Sequence, residues 1–254
     1  MEYLTVEQAK RASGLRLVLT QGVPGPWGES AKALFDIKGI PYQPVAQVGG
    51  GSNEDLVAWI RHRNAPIALL DDEPPRSGWL EILFLAERLS PSPALLPADI
   101  DQRMLVIGLS SEICSPGGFC WQARMLMMSD QAERAGDRPD KFPMLKDYQY
   151  SPEAAASALG KLQPQLARLT AQLEAQQQRG SDWLVGDGLT AVDIYWTFFS
   201  QLLRPFPAEI CPMPGFLRKS YEMLEPLLDA PPAAILFTHR DRVLERCIEL
   251  PLTF

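Results

Sequence analysis

Histidine is scarce in this chain, with two in 254 residues, and there are only four cysteines. Cys114, Cys120, Cys211 and Cys247 show no CxxC spacing, so the ligands for a zinc site are not assembled and no metal is expected. Cys114 and Cys120 are close enough in sequence for a disulfide, but reduced core thiols suit a cytosolic chain better. An excess of positive charge is also missing. With 24 basic residues against 31 acidic ones the formal charge is −7, which argues against a phosphate-binding surface and so against nucleic acid as a partner. No apolar run approaches the roughly 20 residues of a membrane span, so no membrane association is expected. The opening "MEYLTVEQAK" lacks the apolar core of a signal peptide, and the chain reads as cytoplasmic.

What remains is an ordinary globular composition. Hydrophobic residues make up 46% and charged ones 22%, enough apolar material to bury a core and too much for disorder. The length fits one large or two ordinary domains.

The first ninety residues alternate between two periods. "LRLVLT" from Leu15 is a short strand, and "QGVPGPWG" after it is too rich in glycine and proline for regular structure. "ESAKALFDIKG" then sets Ala31, Leu34 and Phe35 on one helical face, with Gly39 as a C-terminal cap. "PYQPVAQV" is a second strand, and Ser52 is placed to cap a helix carrying Leu56, Trp59 and Ile60. "PIALL" is the third strand, "DDEPPRSG" a turn, and "WLEILFLAERL" a largely buried helix. The order points to a parallel pair covered by helices.

"SPSPALLPAD", with three prolines, suits a semi-rigid connector, and the domain boundary is expected there. Beyond it the period is helical. Leu159, Leu162, Leu166, Leu169 and Leu173 alternate by three and four, behind Ser151 as N-cap and Pro152 at the first helical position. Pro164 is a candidate kink, "SPGGF" at Ser115 to Phe119 an interruption, and "DRPDKFPMLKDYQY" an irregular loop. Two late helices are expected over 216–228 and 233–250.

An apolar strand behind the dipeptide Ala65-Pro66, a proline-rich connector and a helical second half together resemble the glutathione S-transferase family. A second match is "WLVGDGLTAVDIYW", Trp183 to Trp196, which is similar to the family's signature in its helical domain. Its informative pair is Thr190 and Asp193, spaced as a capping box with the acid at the positive end of a helix. The resemblance implies an α/β plus all-α fold: a thioredoxin-like N-terminal domain over 1–90, a linker at 91–99 and an all-helical C-terminal domain over 100–254. Residues 1–14, with a Thr5 to Gln8 cap, form an extension ahead of the family's usual start.

The resemblance also implies a cis bond between Ala65 and Pro66, with the Ala65 backbone pairing with the cysteine of glutathione like an added strand. Ser77 stands where the family places a serine for the γ-glutamyl carboxylate, or it serves as the cap of the following helix. Arg76 replaces the family's acid and either meets a glutathione carboxylate or faces solvent. Arg63 and Asn64 are candidates for the glycine carboxylate. No tyrosine or cysteine lies between Thr20 and Glu29, so the usual group that lowers the thiol pKa is not recognisable. Thr20, Ser30 and the amides at Trp27 or Gly28 are substitutes. The Trp27 ring either stacks over the reacting atoms or packs.

Phe119, Trp121 and Met125 either shape an acceptor pocket or form core. The implied activity is conjugation of the glutathione thiolate, as co-substrate, to a small hydrophobic electrophile by a homodimer. The alternative is a transferase-fold protein that binds a ligand or partner without chemistry.

Overall fold

The computed structural model describes residues 1–136 and 142–254, the side chain of residue 130 excepted. The chain divides into two units: Met1–Leu95 joined by Pro207–Pro214 and Cys247–Phe254, and Leu96–Phe206 joined by Gly215–Arg246.

The first unit is built on β1 (Leu15–Thr20), β2 (Gln43–Gln47) and β3 (Ile67–Leu70), in the order β2-β1-β3. β1 runs parallel to β2 with Val18 beside Val45, and antiparallel to β3 with Val18 beside Ile67. The central strand is buried from Leu15 to Leu19, which is why "LRLVL" is apolar without strict alternation. A single antiparallel bridge from Ala68 to Arg76 continues the sheet past β3.

Helices α2 (Pro26–Ile37), α3 (Glu54–Ile60) and α4 (Trp79–Leu89) follow the three strands. Val18, Val45, Ile67 and Leu69 form one cluster with Leu56 and Ile60 of α3. α2 packs with α4, and a Cβ on Gly28 would lie 3.5 Å from Leu19 Cδ2, so α2 lies on the opposite face from Val18. Asn53, with a left-handed φ of 49°, takes the N-cap position of α3 expected of Ser52. Its side chain closes the 48–53 turn by accepting from the Val48 amide at 2.9 Å and donating to the Val48 and Gly51 carbonyls, which fixes the register of the turn around it.

The N-terminal extension is part of this unit. Leu4 forms a parallel bridge with Val45, and the Thr5–Gln8 capping box opens α1 (Val6–Arg11). Arg16 of β1 is buried and caps the far end of that helix, donating to the Ala9 and Ala12 carbonyls at 3.1 and 2.9 Å and to the Asp71 carbonyl.

The second unit contains α5 (Ile100–Cys114), α6 (Phe119–Ala135), α7 (Pro143–Asp147), α8 (Pro152–Gln178), α9 (Ala191–Phe199), α10 (Gly215–Glu222) and α11 (Ala234–Cys247). α6 packs along α8, and α5 packs on α9, all nine residues of which are buried. The "SPGG" interruption lies between α5 and α6. There a Cβ on Gly118 would sit 2.5 Å from the Glu112 carbonyl oxygen, so the chain can fold back on the helix end only with glycine at that position. α8 continues as one helix past Pro164, and Leu162, Leu166, Leu169 and Leu173 form its buried row.

Two expectations change in this unit, and one open choice is decided. The helix expected over 216–228 ends at Glu222 and resumes only as one 3-10 turn, Glu225–Leu227, because Pro226 cannot continue an α-helix. The start of the expected irregular loop lies outside the described residues, and its later part contains the short helix α7. Phe119 and Met125 are 0% and 2% exposed and belong to the core, whereas Trp121 is half-buried. All four cysteines are free.

Candidate functional site

The residues singled out in the first domain converge at the ends of its strands. Thr20 closes β1, and its hydroxyl donates to Gln47 Oε1 at 2.7 Å. The Gln47 amide then donates to the Val48 and Arg63 carbonyls at 2.9 and 3.1 Å. One side chain, 2% exposed, thus joins the ends of β1 and β2 to the segment that leads into Pro66. No pattern around Gln47 marks it in the sequence, because its partners lie 27 and 16 residues away.

The Ala65–Pro66 peptide bond is cis, as the resemblance implies. Pro66 is buried and Ala65 half-buried. Among the described residues, neither the Ala65 amide nor its carbonyl pairs with another backbone group. Two residues on, Ala68 exchanges both backbone hydrogen bonds with Arg76, at 2.9 and 3.0 Å. In that antiparallel register Ser77 stands opposite Ile67, at the end of the strand where Ala65 lies.

Ser77 is exposed and precedes the N-cap of α4, which is Gly78. The Gly78 amide donates to Glu81 Oε2 at 3.0 Å, so this helix end is capped by its own first-turn acid. Arg76 does not extend freely into solvent. Its guanidinium pairs with Glu73, which Arg88 also holds at 2.6 and 2.8 Å, and hydrogen bonds from Arg88 and Arg76 hold the Glu73 carboxyl below its ordinary pKa. Arg63 donates to the Gly51 carbonyl at 3.1 Å, and Asn64 is exposed.

The start of α2 faces the loop that follows β1. Gly25 is the N-cap and supplies no side-chain acceptor, Pro26 is the first helical residue, and Trp27 is half-buried. The positive end of this helix is not covered by a capping side chain. Ser30 donates to the Trp27 carbonyl at 3.1 Å, so its proton points into the helix.

One turn further, an ion pair that the sequence reading did not single out is sealed in. Glu29 and Lys32 are 3% and 6% exposed, and Lys32 Nζ lies 3.0 and 2.9 Å from the two Glu29 oxygens and 2.6 Å from the Thr253 carbonyl. Burial raises the Glu29 pKa above its ordinary value despite Lys32. The i,i+3 spacing was a visible signal, but it describes a solvent-exposed pair equally well.

In the second unit, Asp193 gathers the signature around itself. Its Oδ2 accepts from the Thr190 amide at 2.8 Å and the Thr190 hydroxyl at 2.7 Å. Oδ1 accepts from the Leu184 amide at 2.8 Å and lies 3.0 Å from His239 Nε2. An open hollow of about 470 Å³ in this unit is lined by Leu203, Arg204, Pro205, Glu222, Glu225 and Pro226, and contains none of the residues singled out in the sequence. Among the described residues, no group of three or more His, Cys, Asp or Glu could hold a metal ion, and no helix is long and apolar enough to cross a membrane.

Residues 125–224 match the family model for the glutathione S-transferase C-terminal domain. A search of curated proteins gives no match. Among solved structures, the chain is similar to a glutathione S-transferase from Methylobacterium radiotolerans JCM 2831 in complex with glutathione sulfonate. The identity is 20%, with 95% of this chain and 98% of that one covered and a TM-score of 0.64. It is also similar to a glutathione S-transferase from Methylobacillus flagellatus KT with glutathione bound, at 16% identity, 92% and 96% coverage and a TM-score of 0.61. A third likeness is to the β-etherase LigF from Sphingobium sp. strain SYK-6, at 18% identity, 92% and 96% coverage and a TM-score of 0.63. At these identities the structural likeness speaks for the fold.

Proposed function

From the premise that this chain is a divergent member of the glutathione S-transferase family, we propose that its first unit binds glutathione and presents the thiolate to a small apolar electrophile. The observation that carries the reading is the Ala65 backbone, unpaired with other backbone groups among the described residues, at the same end of the strand as Ser77. A peptide lying antiparallel to Ala65 gains two main-chain hydrogen bonds there. Ser77, exposed at the same strand end, then receives the γ-glutamyl carboxylate. Arg63 and Asn64 lie on the approach to Pro66, at the end suited to the glycine carboxylate.

The thiol is activated at the start of α2. The Thr20 hydroxyl proton is engaged by Gln47, so Thr20 in this arrangement offers a thiolate only lone pairs. The helix end at Gly25, Pro26, Trp27 and Gly28 instead supplies positive potential where a thiolate charge would sit. On binding, the thiol proton passes to solvent. The sulfur lone pair then forms the carbon–sulfur bond, and the leaving group departs with its bonding pair. We assign the protein to the cytoplasm as a homodimer, the commonest symmetric assembly, with detoxification as its setting.

A second reading is supported by the same geometry: a transferase-fold protein that holds glutathione without activating it. The commitment of Thr20 to Gln47 and of Arg76 to Glu73 favours it. Calorimetry with glutathione, followed by thiolate absorbance of the complex across pH, separates the two. Binding with a thiol pKa lowered by about one unit or more supports conjugation. Binding with an unshifted thiol leaves the non-catalytic reading, and no heat at millimolar glutathione sinks both.

A further inference from the structure

Residues 62–65 lead from α3 to the cis peptide bond, and among the described residues they make no backbone–backbone hydrogen bond. Main-chain pairing therefore does not fix the angle at which Ala65 presents its amide and carbonyl. Side chains from elsewhere hold the stretch instead. The Arg63 carbonyl, two residues before Ala65, accepts from Gln47 Nε2 at 3.1 Å and from Asn53 Nδ2 at a longer 3.4 Å. The Arg63 guanidinium donates to the Gly51 carbonyl at 3.1 Å, so both the main chain and the side chain of Arg63 are tied to the region that follows β2.

Gln47 is the firm end of this tie. Its main chain belongs to the sheet, since it pairs with Thr20 in the parallel register and its carbonyl accepts from the Gln21 amide at 3.0 Å. Its side chain is 2% exposed, with Oε1 taking the Thr20 hydroxyl and the two Nε2 protons directed at the Val48 and Arg63 carbonyls. The amide is thereby held in one orientation, because exchanging its oxygen and nitrogen would turn an acceptor towards two carbonyls. Asn53 is half-buried and its own contacts are spread over Val48, Gly51 and Arg63, so it is the weaker of the two donors to Arg63.

We propose that Gln47 is the positioning residue for the peptide main chain at the glutathione site: without touching the ligand, it sets the Ala65 amide and carbonyl by fixing the Arg63 carbonyl to the end of β1 and β2. The inference rests on the reading of this strand end as a glutathione site. Its consequence is that affinity for the main chain of the tripeptide, as distinct from its two carboxylate ends, runs through Gln47.

Calorimetry of the full chain with glutathione and with its depsipeptide analogue, in which an ester oxygen replaces the cysteinyl N–H, tests this. The wild type is expected to bind the analogue about three- to tenfold more weakly, the worth of one neutral hydrogen bond to the Ala65 carbonyl. Gln47→Leu is expected to weaken glutathione by about tenfold and to shrink the analogue's penalty below about twofold, because the Ala65 carbonyl no longer stands where the N–H meets it. Arg16→Met loses buried hydrogen bonds at the opposite end of β1 and should keep the wild-type penalty, a result that a general loss of stability would not give. If Gln47→Leu does not fold, Gln47→Glu decides, since it still accepts from Thr20 and has no donor for Arg63. A wild-type penalty retained in the Gln47 variant, or lost equally in Arg16→Met, would overturn this inference and leave glutathione binding standing. Equal binding of the two ligands by the wild type would overturn it by removing Ala65 from the site, and no binding of glutathione at all would overturn the glutathione reading and this inference together.

Discussion

Asp193 sits at the start of α9 with several buried partners, and its replacement by alanine tests whether it is a helix cap or the hub of a buried network. The carboxylate is 0% exposed and accepts from two backbone amides, Leu184 and Thr190, and from one hydroxyl, with His239 at 3.0 Å. As a cap alone it would be worth about 1 kcal/mol. As a hub its loss leaves at least three buried donors unpaired, each costing about 1–3 kcal/mol where no water can replace the oxygen. Relaxation and non-additivity bring the expected total to about 3–5 kcal/mol, toward the low end of that sum.

For a chain of this size each kcal/mol moves the thermal midpoint by about 2–4 °C, so Asp193→Ala should melt roughly 10 °C below the wild type. Thermal unfolding followed by far-UV circular dichroism reads the shift, and hydrogen exchange at the Leu184 and Thr190 amides localises it. Asp193→Asn keeps one acceptor oxygen and should fall between the two. A shift below about 4 °C in Asp193→Ala would refute the hub and leave only the cap.

Three further outcomes are expected. Ser77→Ala should weaken glutathione binding by about 10- to 100-fold, the worth of a hydrogen bond to a charged group, whereas Arg76→Ala should change it less than about threefold because Arg76 is held by Glu73; calorimetry comparing the two sinks the assignment if their order is reversed. Thr20→Val should leave the pKa of bound glutathione within about 0.3 unit of the wild type, and a rise of about one unit in the thiolate titration would return the activating role to Thr20. Glu29 has a folded pKa above its unfolded value, so the native state holds the proton longer and stability should fall as pH rises from about 4.5 through the folded pKa. Urea midpoints measured across that window should show the fall, and Glu29→Gln should lack that part of it; an unchanged profile in the variant would count against the buried-carboxylate account.

The parts of the molecule legible in sequence are those written in local chemistry. "LRLVLT" and "IALL" read as strands because β-branched and aliphatic runs bounded by turns have few other solutions, and they are β1 and β3. The leucine row of α8, Ser151 with Pro152, and the Thr5–Gln8 and Thr190–Asp193 boxes were visible because each depends on spacings of three or four along one helix. Ala65-Pro66 and Ser77 were reached through resemblance, since an X-Pro pair carries no local statement of its isomer.

What stayed hidden depends on partners far along the chain. Only the folded chain brings Gln47 to both Thr20 and Arg63, and only it brings Lys32 to a carbonyl 221 residues away. Nothing local foretells that residues 207–214 and 247–254 return to the first unit. Arg124 makes the contrast plain, because in sequence it is one basic residue in an amphipathic helix. The sequence determined that a cation would lie beside Trp121 and Met125. The tertiary structure decided that Tyr148 and Tyr221, and no described carboxylate, would surround it, because a charge acquires its counter-charge, or goes without one, only when distant segments pack.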